Sequence, residues 1–255
     1  MIGPHRLRKK LEAGEPTLGM LVNFPGAWFV DIVGLMGFDF IIIDAEHGPV
    51  SPADAGIMIR AAEGAGISAI VRVPNISHEI QRFLDIGAVG IQIPHIDNAV
   101  DARAAVAAIR YPPLGDRGLA TVTRAAGYGI DVSPKDYMET ANRELLCFPV
   151  IETAAGLANV DAIAATPGVD AIIIGPGDLS ASMGHAGNRL HPEVTAAVAH
   201  LIERSRAHGK WVASAAYDAE TARQGFAAGA HIMECPPPAM LARAGREFVR
   251  HALSR

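Results

Sequence analysis

The chain has 255 residues, half of them hydrophobic and only 5% aromatic, with a formal net charge of −5. Its length suits one α/β barrel or two small domains, and the aliphatic composition favours helices packed on a parallel sheet over a β-sandwich. The negative charge gives no electrostatic basis for nucleic acid. Two cysteines outside any CxxC spacing signal neither a disulfide framework nor a zinc knuckle, and no apolar run approaches the ~18 residues that span a bilayer. A soluble cytoplasmic protein is expected, with neither nucleic acid nor membrane as partner.

The segment from His5 to Lys10 (HRLRKK) is basic but is followed by Glu12 and Glu15, and reads as a solvated first helix. Beyond it, apolar β-type runs alternate with alanine-rich amphipathic stretches. Strands are predicted at 17–24, 38–45, 68–74, 89–94, 145–152, 170–175, 211–216 and 230–234. Helices are predicted at 27–36, 52–65, 77–87, 98–109, 154–165, 193–208, 219–228 and 237–252. Ser51 before Pro52, Ser77 with Glu79, and Asp218 before an alanine-rich run supply helix starts. Gly37, Gly66, Gly87, Gly168, Gly209 and Gly229 each stand just before a strand, where a left-handed residue closes the preceding helix. Eight βα units without a break in composition predict one domain over 1–255, an α/β fold closed as a single (β/α)8 barrel. The longest irregular segment, 110–134, carries YPPLGDRG (Tyr111 to Gly118) and GYG (Gly127 to Gly129), with a short helix predicted at 135–142. Loops of that length are usually functional. This one is expected near the active site, with Arg117 and Arg124 as anion contacts.

In such barrels the reacting groups sit at the carboxyl ends of strands. Here those ends carry Asp44, Glu46 and His47 after strand two, Arg72 in strand three, Gln92 and His95 at strand four, Glu152 closing strand five and Asp178 after strand six. The lysines are Lys9, Lys10, Lys135 and Lys210, none at a strand end, so a Schiff-base mechanism lacks its nucleophile. No GxGxxG fingerprint or P-loop is present, which argues against a dinucleotide or other nucleotide cofactor. Carbanion chemistry would then need a metal or a cofactor as electron sink. Glu152 and Asp178 offer two carboxylates from neighbouring strands, a sparse set that suits a hard octahedral ion such as Mg²⁺, Mn²⁺ or Co²⁺. Each alone can equally be a helix cap or an ion-pair partner. Arg72, flanked by Val71 and Val73, can present its planar fork to a carboxylate or a developing enolate, or can serve a structural ion pair. His47 can act as a base near neutral pH or be structural.

Taken together, LEAGEP (Leu11 to Pro16), FDFIIIDAEHGP (Phe38 to Pro49), VRVP (Val71 to Pro74), YPPLGDRG, IET (Ile151 to Thr153) and GVDAIIIGPGDLS (Gly168 to Ser180) resemble the HpcH/HpaI aldolase family. The resemblance runs over nearly the whole chain. It implies a barrel of the phosphoenolpyruvate/pyruvate type, with the C-terminal helix exchanged between subunits of a homo-oligomer, a hexamer. It further implies a metal-dependent pyruvate aldolase that cleaves 4-hydroxy-2-oxo acids to pyruvate and an aldehyde through a metal-held enolate. Glu152 and Asp178 would bind the metal, His47 would be the base, and Arg72 would stabilise the enolate. The backbone N–H groups of Gly177 and Asp178 would receive the pyruvyl carboxylate. Asp85, in the helix at 77–87, would raise the basicity of His47 from a neighbouring subunit, with Asp44 as the competing partner. Two positions depart from the family pattern. Val150 stands where a glutamine often precedes the metal-binding glutamate, and MECPPP (Met233 to Pro238) replaces a glycine-and-acid turn, which puts substrate choice in doubt more than reaction type. The alternatives are a lyase of the citrate lyase β-subunit or malyl-CoA type, which would need a surface for CoA, and a non-catalytic barrel subunit.

Overall fold

The computed structural model describes residues 5 to 253. Eight parallel strands pair in chain order and close on themselves: β1 (Thr17–Val22), β2 (Phe40–Asp44), β3 (Ser68–Arg72), β4 (Gly90–Ile93), β5 (Leu146–Ile151), β6 (Ala171–Ile174), β7 (Trp211–Ala215) and β8 (Ile232–Cys235). The closing pair sets Thr17 beside Ile232 and Met20 beside Cys235. Around them, in chain order, lie α1 (Arg6–Glu12), α2 (Ala27–Leu35), α3 (Pro52–Gly64), α4 (Glu79–Asp85), α5 (Ala99–Ile109), α6 (Pro134–Glu144), α7 (Ala154–Ala158), α8 (Val160–Ala164), α9 (Pro176–Ser182), α10 (Pro192–Ala207), α11 (Ala219–Ala227) and α12 (Pro237–Leu253). The expected (β/α)8 barrel is the fold observed.

Local chemistry explains most boundaries. Ser51 and Asp54 form a reciprocal capping box at α3, with Pro52 at its first turn, and Asp218 and Thr221 do the same at α11. Gly37, Gly66, Gly87, Gly168, Gly209 and Gly229 all have positive φ, between 69° and 111°, ending one helix and turning the chain toward the next strand.

Side chains alternate across the strands and build two cores. Phe40, Ile42, Ile70, Leu146, Phe148, Ile173 and Ile232 fill the lumen, while Ile41, Ile43, Val71, Cys147 and Ile172 pack against the helices. A glycine is required at position 19, because a Cβ there would lie 2.2 Å from the Phe40 ring.

Four expectations need correction. The basic first helix is not merely solvated: α1 closes the barrel floor, with Leu7 and Leu11 in the lumen core. Arg8 reaches Asp170 at 3.1 Å and the Leu145 carbonyl at 3.2 Å, and Arg6 and Lys10 both bind Asp39. The helix expected at 154–165 is two short helices, broken at Asn159, whose side-chain amide donates to the Asp97 and Ala155 carbonyls. No helix is predicted between strand six and residue 193, yet the chain forms α9 there, with Pro176 at its first position. Finally, the 110–134 segment packs on the outer helices. Arg117 spends its charge on Asp85 at 2.6 Å, and Arg124 pairs with Glu63 and donates to the Ile86 carbonyl, so neither is an anion contact at the mouth.

Candidate active site

The carboxyl ends of β2 to β6 bring one polar constellation together. Asp44, 1% exposed, grips Arg72 with two bonds: Nε to Oδ1 at 3.0 Å and Nη2 to Oδ2 at 2.6 Å. Its Oδ1 also accepts the backbone N–H groups of Glu46 and His47 at 3.1 and 3.2 Å. Asp44 therefore holds Arg72 and shapes the following turn, and meets His47 through its backbone, not its ring. Burial pushes the Asp44 carboxyl up, but the Arg72 guanidinium outweighs it and holds the group below the usual carboxylate range.

Glu46 adds a second carboxylate, with Oε2 3.3 Å from Arg72 Nε and 3.7 Å from His47 Nε2. The His47 imidazole is 64% exposed and open to the mouth. Across Arg72, Glu152 is nearly buried, and its Oε1 accepts the His95 backbone N–H at 2.9 Å. Burial raises the Glu152 carboxyl above its ordinary value; the His95 N–H opposes this, and the negative charges of Asp178 and Glu46 add to the rise. Burial likewise raises Glu46. Gly175 makes room for Glu152, since a Cβ there would come within 2.9 Å of Oε2.

Asp178 lies exposed in the first turn of α9. No side chain caps this helix, and Pro176 has no N–H, so the donors its first turn presents are the N–H groups of Gly177 and Asp178. Beneath Arg72, two groups from opposite strands meet in the lumen: Gln92 Nε2 donates to Glu234 Oε2 at 3.3 Å, leaving Gln92 Oε1 and Glu234 Oε1 buried without partners. Burial drives the Glu234 carboxyl up to about 7.

Of the residues singled out from sequence, Asp44, His47, Arg72, Glu152 and Asp178 converge at this mouth. Asp85 does not. It sits at the far end of α4, bound by Arg117 and facing Arg60 and Tyr128 on the outer wall. Val150 lies in the lumen core with no polar contact to offer. Among the described residues, one group of three metal-capable side chains lies elsewhere, His185, His191 and Glu193. His191 Nδ1 accepts the Glu193 N–H that opens α10, and the two imidazoles stack at 3.7 Å. A ring whose lone pair caps a helix is not free to ligate.

A divalent ion fits the strand-end donor set. Glu152 feels the negative charges of Asp178 and Glu46, with only the His95 ring and N–H opposing them, and Arg72, which pairs with Glu46, is already committed to Asp44.

The family model for HpcH/HpaI aldolase/citrate lyase matches residues 18–235, most of the chain. The chain belongs to this family. A 2-dehydro-3,6-dideoxy-6-sulfogluconate aldolase from Pseudomonas putida is 42% identical over 78% of the chain and 77% of its own length. A 5-keto-4-deoxy-D-glucarate aldolase from an Enterobacter strain is 40% identical over 82% and 81%. Among solved structures, an HpcH/HpaI aldolase/citrate lyase family protein from Burkholderia cenocepacia superposes with a TM-score of 0.91 at 34% identity, covering 97% of this chain and 99% of its own. Within the HpcH/HpaI family, this chain is an aldolase, a carbon–carbon lyase, on a barrel that carries its polar residues at the strand ends. Among its described residues, no helix is long and apolar enough to cross a membrane.

The sequence placed Glu46, Gln92 and His95 among the strand-end polar groups without assigning them a role, and tied Glu234 only to the reshaped strand-eight end, not to Gln92. Their one signal is placement: each ends, or lies inward on, an apolar strand.

Proposed function

We propose that this chain is a divalent-cation-dependent aldolase that reversibly cleaves a 4-hydroxy-2-oxo acid to pyruvate and an aldehyde. The observation that carries this reading is the pairing of a doubly bonded Arg72–Asp44 clamp with a crowded carboxylate set at Glu152 and Asp178. Glu152 and Asp178 would hold Mg²⁺, Mn²⁺ or Co²⁺, which when bound supplies Lewis-acid polarisation of the 2-keto group.

The chain's own groups do the rest. The N–H groups of Gly177 and Asp178 receive the substrate carboxylate at the positive end of α9. His47, exposed at the mouth, takes the proton of the 4-hydroxyl on a ring nitrogen. The C3–C4 bond then breaks, its electron pair passing into the enolate while the C4 hydroxyl becomes the aldehyde. Arg72, fixed by Asp44, faces the negative charge that grows on the enolate oxygen, and needs no reorganisation to do so. Returning a proton to C3 gives pyruvate.

Pyruvate release by EDTA-treated enzyme from a panel of 4-hydroxy-2-oxo acids, coupled to lactate dehydrogenase, tests this. Release restored by Mg²⁺, Mn²⁺ or Co²⁺ and lost in Glu152→Gln is expected. Release indifferent to chelation would rule out the cation site.

The assembly is part of the same reading. Of α12, Pro237 is buried, while Leu241, Phe248 and Leu253 are each more than 70% exposed. On α2, Trp28 and Leu35 are 66% and 88% exposed. We propose a homo-oligomer in which α12 covers a neighbour's barrel and a neighbour's Asp85 approaches His47.

A further inference from the structure

His95 follows β4 in the left-handed region, at φ 54°, a conformation that non-glycine residues rarely adopt and that persists only where the surroundings hold it. It directs two groups at a single atom. The backbone N–H donates to Glu152 Oε1 at 2.9 Å, and the ring Nδ1 lies 3.1 Å from the same oxygen. The other oxygen, Oε2, faces the space left by the missing side chain of Gly175, three residues ahead of Asp178. The two oxygens of one carboxylate are thus put to different uses. The ring itself is 62% exposed, so it is not there to fill the core.

We propose that His95 is a positioning residue that holds Glu152 to ligation through one oxygen and so selects a small octahedral cation over calcium. This rests on the reading of Glu152 and Asp178 as the cation's ligands. Calcium takes about six to eight oxygens and accepts both oxygens of a carboxylate, whereas magnesium demands near-octahedral geometry at about 2.0–2.1 Å and keeps several waters. A glutamate whose Oε1 accepts the His95 N–H and lies against the His95 ring offers the second arrangement. Groups that orient a ligand in this way typically contribute about 10- to 100-fold in metal affinity.

The test is calorimetric titration of EDTA-treated full-length protein with MnCl₂, MgCl₂ and CaCl₂, comparing wild type with His95→Gly, His95→Asn and Glu152→Gln. Glycine keeps the N–H and tolerates the positive φ, so it removes the ring alone. Asparagine also tolerates it and returns a side-chain donor. The expected result is a preference of wild type for Mn²⁺ and Mg²⁺ over Ca²⁺ that narrows about tenfold or more in His95→Gly and largely returns in His95→Asn. An unchanged preference in His95→Gly, with Glu152→Gln abolishing Mn²⁺ binding, overturns the role of His95 and leaves the cation site standing. Mn²⁺ binding that survives in Glu152→Gln removes the site itself. A wild type that binds Ca²⁺ as tightly as Mn²⁺ also overturns the proposal.

Discussion

Arg72 cannot be removed without consequence for Asp44, because a carboxylate 1% exposed would lose the partner that justifies its charge. Stranding it costs about 3–5 kcal/mol, so Arg72→Ala alone mixes folding with chemistry. The double variant Arg72→Ala/Asp44→Asn removes both charges. It is expected to keep Mn²⁺ binding by calorimetry while kcat falls at least about 10²- to 10³-fold; turnover near wild type would sink the role given to Arg72. Glu234 makes a second, pH-dependent prediction. Its folded-state pKa of about 7 lies above its ordinary 4.5, so between those values the unfolded chain releases this proton first and stability falls as pH rises. The loss is complete above pH 7 and on the order of 3 kcal/mol. Glu234→Gln should therefore melt several degrees above wild type at pH 8 and alongside it near pH 4, as followed by circular dichroism. At this scale the polar ends of apolar runs, Asp44, His47, Arg72, Glu152 and Asp178, were legible as candidates. What each one touches was not. The choice of Arg72 over the His47 ring by Asp44, and the turn of His95 onto Glu152, depend on backbone angles just past the strand ends, which residue type alone does not specify.

Among the elements, α1 shows how local charge misleads. Its basic residues suggest a solvated face, yet Leu7 and Leu11, four apart on one side, plug the lumen while the cations reach around them to Asp39 and Asp170. Leu7→Ala should lower the urea midpoint by an amount equivalent to about 2–5 kcal/mol with the m-value unchanged. A shift under about 1 kcal/mol would show that the floor seals without it. The elements with strong end signals, α3 with its capping box and the strands preceded by left-handed glycines, were readable because caps and periodicity act within a few residues. No helix is predicted from the Gly-Pro-Gly stretch after β6, but Pro176 at the first position begins α9, and the N–H groups of Gly177 and Asp178 are presented by that helix. The break at Asn159 arises from a side-chain bond to Asp97, 62 residues earlier, which no local pattern contains.

The molecule as a whole is a closed barrel whose last helix leaves its own wall. The proposed exchange of α12 predicts that Phe248→Glu, which puts a charge on a ring 74% exposed in the single chain, lowers the mass measured by light scattering. Activity should fall with it, since Asp85 would no longer reach a neighbour's His47. An unchanged mass would leave α12 without the covering role. By itself the sequence determined eight βα units, their order, and the set of polar residues that end the strands, because apolar period, capping residues and glycine punctuation are all short-range. Only the tertiary structure decided that β8 pairs with β1, that α1 closes the floor, that Asp85 faces outward, and that Glu46 and His95 join the site. Those contacts link residues from 26 apart, as in Arg72 with Glu46, to 215 apart, as in Thr17 with Ile232, and they exist only once closure of the sheet brings distant strand ends to one rim.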